Sequence, residues 1–180
     1  QIDFDDMLVY TYELLSQRKD ILRAWQNKFQ YILIDETQDM NQLQYDIVKL
    51  LAAPRNNLFM VGDDDQSIYR FRGAKPEIML GFEKDYPGAK RILLDTNYRS
   101  RKQIVESAIK VINHNESRFE KKIVASRPEG NPVLTAVFDN QKEEYECMIE
   151  KILYYYKQGG NYSDIAILCR TNRQPGAFAE

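Results

Sequence analysis

Three short apolar runs, each broken off by a cluster of polar and acidic side chains, most narrowly limit what this chain can fold into. Tyr31-Ile32-Leu33-Ile34 gives way to Asp35-Glu36-Thr37-Gln38-Asp39, and Leu58-Phe59-Met60-Val61 to Gly62-Asp63-Asp64-Asp65-Gln66-Ser67. Ile92-Leu93-Leu94 gives way to Asp95-Thr96-Asn97-Tyr98-Arg99-Ser100. Runs this short, without polar alternation, fit strands buried on both faces. Between the first two, Leu43, Ile47, Leu50 and Leu51 keep helical spacing up to Pro54, and a short helix is expected over 76–83. Strand, helix and strand joined by short links make parallel βαβ units, so the fold class is α/β, a parallel sheet flanked by helices.

The second half follows the same style. Ser100-Arg101-Lys102-Gln103 has the form of a capping box and opens a helix with Ile104, Ala108, Val111 and Ile112 on one face. Pro128, Gly130 and Pro132 break regular structure over 126–132. Residues 133–138 read as a strand. Asn140 and Glu143 cap a helix carrying Tyr145, Met148, Ile149, Ile152, Leu153 and Tyr156, which Gly159-Gly160 ends. Residues 165–168 read as a further strand. The polar turn over 96–100 divides the chain into 1–100 and 101–180.

Composition removes several function classes. The chain has 180 residues, 25 Lys plus Arg against 27 Asp plus Glu, and 43% hydrophobic residues, enough to build a core. No uncharged apolar run approaches the roughly 18–20 residues of a membrane span, and no secretory signal is visible; a cytoplasmic protein is expected. Two cysteines, Cys147 and Cys169, make neither a disulfide scaffold nor a four-ligand zinc site, and the single His114 excludes a multi-histidine metal site. A net charge of −2 excludes an evenly basic nucleic-acid coat but leaves a local basic groove open. Gln1 at the start and Gly176-Ala177-Phe178-Ala179-Glu180 at the end read as the edges of a piece of a longer protein.

In open parallel sheets ligands bind beyond the carboxyl ends of the strands, where all three polar clusters would meet on one rim. Asp35 suits Mg²⁺, which keeps several waters and takes few carboxylates. Glu36 can orient or deprotonate an attacking water, and the Gln66 amide can reach a terminal phosphate. Arg99 has the bidentate geometry to neutralise charge on a transferred phosphoryl group, and Tyr98 offers a flat face to a base. An isolated acid pair is usually a solvated turn; the acid pair, Gln and Arg at successive strand ends argue against that here.

These residues resemble a known family. Ile34-Asp35-Glu36-Thr37-Gln38-Asp39 resembles the Walker B box of superfamily 1 helicases, and the block from Val61 to Ala74 their motif III. Asn97-Tyr98-Arg99-Ser100 is similar to motif IV, and Phe4-Asp5-Asp6-Met7-Leu8 to a segment preceding Walker B. Order and spacing fit the UvrD/PcrA/Rep branch over nearly the whole chain. The resemblance implies a RecA-like P-loop NTPase fold, with 1–100 the later part of a first RecA-like domain, 101–180 the early part of a second, and ATP between them. It also implies Asp35 serving Mg²⁺, Glu36 activating water, Gln66 sensing the γ-phosphate, Tyr98 stacking on adenine and Arg99 as an arginine finger. Tyr69, Phe71 and Arg72 would touch single-stranded DNA, and partly duplex DNA would be unwound 3′ to 5′ in repair or replication. Arg70-Phe71 stands where the family usually has Gly-Trp. None of the eight glycines is followed by Lys, so the P-loop cradle is not in this sequence and would come from elsewhere in the parent chain.

Blander readings are set beside these. His114 reads as a surface helix end and both cysteines as structural. Of Tyr154-Tyr155-Tyr156, Tyr156 reads as core and the others as flank. Arg118, Lys121, Lys122 and Arg127 could touch a DNA backbone or form a solvated loop. Phe71, between two arginines, reads as a DNA contact rather than core. Two other functions compete: a metal nuclease with Asp35, Glu36, Asp63 and Asp64 as paired-metal ligands, and a non-catalytic DNA-binding module lacking a P-loop.

Overall fold

Asp3 and Asp6 start the first helix by capping each other's backbone: Asp3 Oδ1 accepts the Asp6 N–H at 2.9 Å and Asp6 Oδ2 the Asp3 N–H at 3.1 Å. The computed structural model describes residues 2–174 and 176; Gln1, Pro175 and residues 177–180 lie outside the described residues, including most of the two chain ends on which the longer-parent expectation drew. Two compact units divide the chain, Gln1–Asn131 and Pro132–Glu180.

In the first unit, α1 (Phe4–Gln17) and α2 (Lys19–Lys28) lead into β1 (Ile32–Ile34), α3 (Gln42–Ala52) and β2 (Leu58–Met60). A second capping box, Asn41 with Gln44, opens α3, and the chain leaves it at Ala53, just before Pro54. β1 and β2 pair in parallel, Ile32 opposite Leu58 and Ile34 opposite Met60, as the apolar runs predict. Leu15, Leu22 and Ile47 form one buried cluster between α1, α2 and α3. Met40, Tyr45 and Ile78 form another, against which Ile34 and Met60 pack. A fully buried Leu or Ile contributes about 1.5–3 kcal/mol, so the first cluster holds the three helices together and the second seats α3 and Ile78 against one face of the pair. The other face departs from the expectation of two-sided burial: Leu33 and Phe59, opposite each other in register, are 71% and 57% exposed.

The short helix expected over 76–83 is two, α4 (Pro76–Leu80) and α5 (Phe82–Asp85), divided at Gly81. Residues 92–95 form no strand; the strand begins after them, as β3 (Thr96–Arg101), and takes in the segment expected as a turn. Then come α6 (Lys102–Ile112) and β4 (Val124–Arg127), which pairs in parallel with β3 through Thr96–Val124, Asn97–Ala125 and Arg101–Arg127. β4 extends into the stretch expected to be broken by Pro and Gly. The capping box at Ser100 does not form, because Ser100 is inside β3 and gives its N–H to Asn97 Oδ1. Arg101 takes the N-cap position without a side-chain capping bond, and Gln103 Oε1 instead accepts the Gly130 N–H. The packed face of α6 is also rotated from the expected one: Val105 is buried while Ile104, Ala108 and Val111 are exposed.

The second unit is built on α7 (Gln141–Lys157), capped by Asn140 Oδ1 on the Glu143 N–H and ended at Gly159 in the left-handed region. The strands expected over 133–138 and 165–168 are absent among the described residues. Among the described residues neither run pairs with another strand, and Val137 and Leu168 are almost fully exposed. Tyr156 is not core: it is half exposed and stacks on Tyr162 with ring centroids 4.5 Å apart. The fold is RecA-like α/β, short parallel sheets flanked by helices.

Candidate functional site

β1 delivers its last apolar residue, Ile34, to the buried cluster and turns abruptly. Asp35 is exposed, with Oδ1 accepting the Glu36 N–H at 2.9 Å. Glu36 sits at φ 50°, ψ 42°, the left-handed region, where a non-glycine residue is uncommon and often functional. A 3-10 turn over Thr37–Asp39 follows and is clamped to the end of β2: the Thr37 N–H and hydroxyl both donate to Val61 O, at 2.9 and 2.8 Å.

Gln38, only 2% exposed, joins the two loops. Its Nε2 donates to Glu36 Oε2 at 2.7 Å, its Oε1 accepts the Asp63 N–H at 3.0 Å, and its carbonyl accepts the Ser67 hydroxyl. Gly62 is required for this approach, since a Cβ there would stand 2.6 Å from Gln38 Oε1. Asp63 then caps a 3-10 turn over Asp64–Gln66 and accepts Gln66 Nε2 on Oδ2 at 2.8 Å. Glu36 and Gln66 are thus ends of one hydrogen-bonded chain through Gln38 and Asp63. Beside Glu36, an open cavity of about 360 Å³ is lined by Ile34, Glu36, Asp39, Met40 and Gln44. Asp39, one of the lining residues, has its Oδ1 buried without a hydrogen bond.

The acidic run after β2 has partners that the sequence did not disclose. Asp65 takes a bidentate pair from Arg118, at 2.8 and 2.7 Å, and Lys121 bonds Asp63, Asp64 and Asp65 together. Burial pushes the Asp63 carboxyl up, but the hydrogen bonds from Lys121 and Gln66 outweigh it and hold it below the usual aspartate range. Arg118 and Lys121 are therefore neither a solvated loop nor a free basic patch. Asp63 and Asp64, which a paired-metal nuclease would need, are occupied by an ammonium. Among the described residues no three His, Cys, Asp or Glu side chains could together hold a metal ion. Asp35, an exposed carboxylate with one oxygen uncommitted to the backbone, fits the single-carboxylate, water-rich coordination of Mg²⁺.

Tyr69, Phe71 and Arg72 lie on and beside a 3-10 turn over Arg70–Arg72. The Tyr69 and Phe71 rings are 5.7 Å apart, and the Arg72 guanidinium lies 5.3 and 5.5 Å from their centroids. Phe71 is 77% exposed, so it is not a core residue. Arg70 pairs with Glu77 at 2.9 Å. Tyr98 and Arg99 stand on β3, both exposed, rather than in a turn beyond a strand. Among the described residues their side chains make no hydrogen bond or ion pair with Asp35, Glu36 or Gln66. Asp95 does not pair with Arg99; it accepts the Thr96 hydroxyl. The residues missed from sequence are Gln38, Arg118 and Lys121. The three successive acids were a signal that a basic partner was needed, but its position more than fifty residues on was not readable.

Residues 1–87 match the family model for the UvrD/REP helicase N-terminal domain, and residues 92–180 that for the UvrD-like helicase C-terminal domain. The chain is 48% identical over 181 residues to YjcD of Bacillus subtilis (strain 168), covering 100% of this chain and 24% of that protein. It is 43% identical over 179 residues to the ATP-dependent DNA helicase PcrA of Staphylococcus epidermidis (strain ATCC 12228 / FDA PCI 1200), covering 99% of this chain and 25% of that protein. PcrA of Staphylococcus aureus (strain COL) is likewise 43% identical, with 99% and 24% covered. The chain spans about a quarter of the length of these relatives.

Proposed function

The chain belongs to the UvrD-like helicase family, and from that premise we propose that it is part of an ATP-dependent DNA helicase or translocase, with 1–100 the later part of one RecA-like domain and 101–180 the early part of the next. The observation that carries this reading is the chain of hydrogen bonds from Glu36 through Gln38 and Asp63 to Gln66. It holds a candidate general base and a candidate phosphate-sensing amide in one arrangement across two strand ends, and such positioning serves phosphoryl transfer.

In this mechanism Glu36 orients and deprotonates the attacking water. Asp35 would hold Mg²⁺, which neutralises charge on the phosphate oxygens when bound. Gln66 reads the terminal phosphate, Arg99 stabilises charge on the transferred group and Tyr98 stacks on the adenine. The phosphate-cradling lysine comes from outside these 180 residues, so the chain alone should hydrolyse ATP negligibly. Tyr69, Phe71 and Arg72 form a platform for single-stranded DNA, each stacked base being worth about 1–3 kcal/mol. We place the protein in the bacterial cytoplasm, acting 3′ to 5′ in repair or replication. Among the described residues no helix is long and apolar enough to cross a membrane.

The test is strand displacement by the full-length protein on partial duplexes with a 3′ or a 5′ single-stranded tail, with ATP and Mg²⁺. Displacement only from the 3′-tailed substrate is expected. Displacement only from the 5′-tailed one would overturn the polarity, and none from either, without DNA-stimulated ATPase, would overturn the helicase reading.

A further inference from the structure

Lys121 follows α6 by nine residues, yet its side chain is spent on the loop after β2. Its ammonium, 7% exposed, lies 2.6 Å from Asp63 Oδ1 and 2.9 Å from Asp65 Oδ2, and also bonds Asp64 Oδ1. Three donors meet three carboxylates, so its hydrogen-bonding capacity is filled. Asp64, 2% exposed at its side chain, accepts the Phe119 N–H on its other oxygen at 2.8 Å, so the backbone of the same segment is docked as well. Arg118 adds a second cation on Asp65.

We infer that Lys121 is a positioning residue for Gln66, acting through Asp63; this rests on the proposed role of Gln66 at a terminal phosphate. Asp63 divides its two oxygens: Oδ1 faces Lys121, and Oδ2 accepts Gln66 Nε2 at 2.8 Å. A carboxylate only accepts, so the amide must present its NH₂ to Asp63, which fixes the orientation of the Gln66 side chain. The second N–H of that amide stays available to a phosphate oxygen. The two cations also reduce the formal charge of the acidic run from −3 to −1, lowering its repulsion of a phosphate. Without Lys121 three neighbouring acids share one guanidinium, Asp63 swings away from its neighbours, and Gln66 loses its anchor. Asp63 and Gln66 lie in residues matched by the N-terminal domain model, and Arg118 and Lys121 in residues matched by the C-terminal one. The latch therefore ties the phosphate-sensing loop to a segment that the C-terminal domain model matches.

The test uses the full-length protein with Lys121→Met, Gln66→Ala and the double variant. It reads DNA-stimulated ATPase kcat, KM for ATP, and hydrogen exchange over residues 63–67. Lys121→Met should lower kcat by about 10- to 100-fold, as misplacement of a catalytic group does, with KM within about 3-fold. In the Gln66→Ala background it should cost nothing further, and exchange over 63–67 should rise. Losses that multiply in the double variant would overturn the relay. Asp63→Asn, at a half-exposed site, carries the same comparison if Lys121→Met does not fold. A wild type without DNA-stimulated ATPase would overturn the functional reading instead, and exchange over 63–67 then decides the latch: unaltered exchange overturns it whatever the ATPase shows.

Discussion

Gln38 donates its side-chain Nε2 to Glu36 Oε2 across 2.7 Å while its side-chain Oε1 accepts the Asp63 N–H. A residue 2% exposed thus holds the proposed base and the neighbouring loop in one arrangement. Gln38→Ala would leave the Asp63 N–H without its acceptor and free Glu36 to rotate. A stability loss of about 1–3 kcal/mol is expected, with kcat falling more than the affinity for ATP. Urea unfolding alongside steady-state ATPase checks both.

Phe71→Ala should weaken single-stranded DNA binding by about 1–3 kcal/mol. Because Phe71 is 77% exposed, the same change should alter stability by less than about 0.5 kcal/mol. Fluorescence anisotropy with a labelled oligonucleotide, set beside a thermal melt, separates a DNA contact from a packing role.

The βαβ unit around β1, α3 and β2 was legible because each signal was local: apolar runs, a helical spacing and a proline stop. α7 was legible for the same reason, with Asn140 at one end and Gly159 at the other. β3 was not, since Thr96–Arg101 is polar and becomes a strand only by pairing with Val124–Arg127, well along the chain. Ile92, Leu93 and Leu94 have the composition of a strand but no partner. At the site, Asp35, Glu36 and Gln66 could be placed beyond strand ends from sequence. Their linkage through Gln38 and the docking of Lys121 on Asp63 could not, because side-chain contacts across 25 and 58 residues leave no periodic trace.

Arg99→Ala should cost about 10³–10⁵ in kcat if its guanidinium reaches the transferred phosphoryl group. Lys should rescue poorly, since a point charge does not reproduce the planar fork. Arg99 is exposed and makes no ion pair among the described residues, so its melting temperature should stay close to wild type. A large drop in stability with kcat preserved would make Arg99 a structural residue.

Acid should weaken the contact between α3 and α5. The Lys49 hydrogen bond, and then that of Tyr45, hold the Asp85 carboxyl below its ordinary 3.8. Its contribution to stability is thus present above that pH and lost as pH falls through the lower folded value. The Asp85 side chain is 37% exposed, so screening limits the contribution to about 0.5 kcal/mol. Asp85→Asn should be slightly less stable than wild type at about pH 6, and the gap should narrow towards about pH 2 as the Asp85 carboxyl takes up its proton. Urea midpoints at the two pH values give the comparison.

The central claim is that Glu36 is the base of an ATP hydrolase, and Glu36→Gln in the full-length protein tests it most directly. Gln keeps the shape and a hydrogen bond but cannot take the water's proton. Single-turnover hydrolysis should fall by about 10²–10⁴-fold, while a fluorescent ATP analogue binds with affinity close to wild type. Near-normal hydrolysis in that variant would contradict the account.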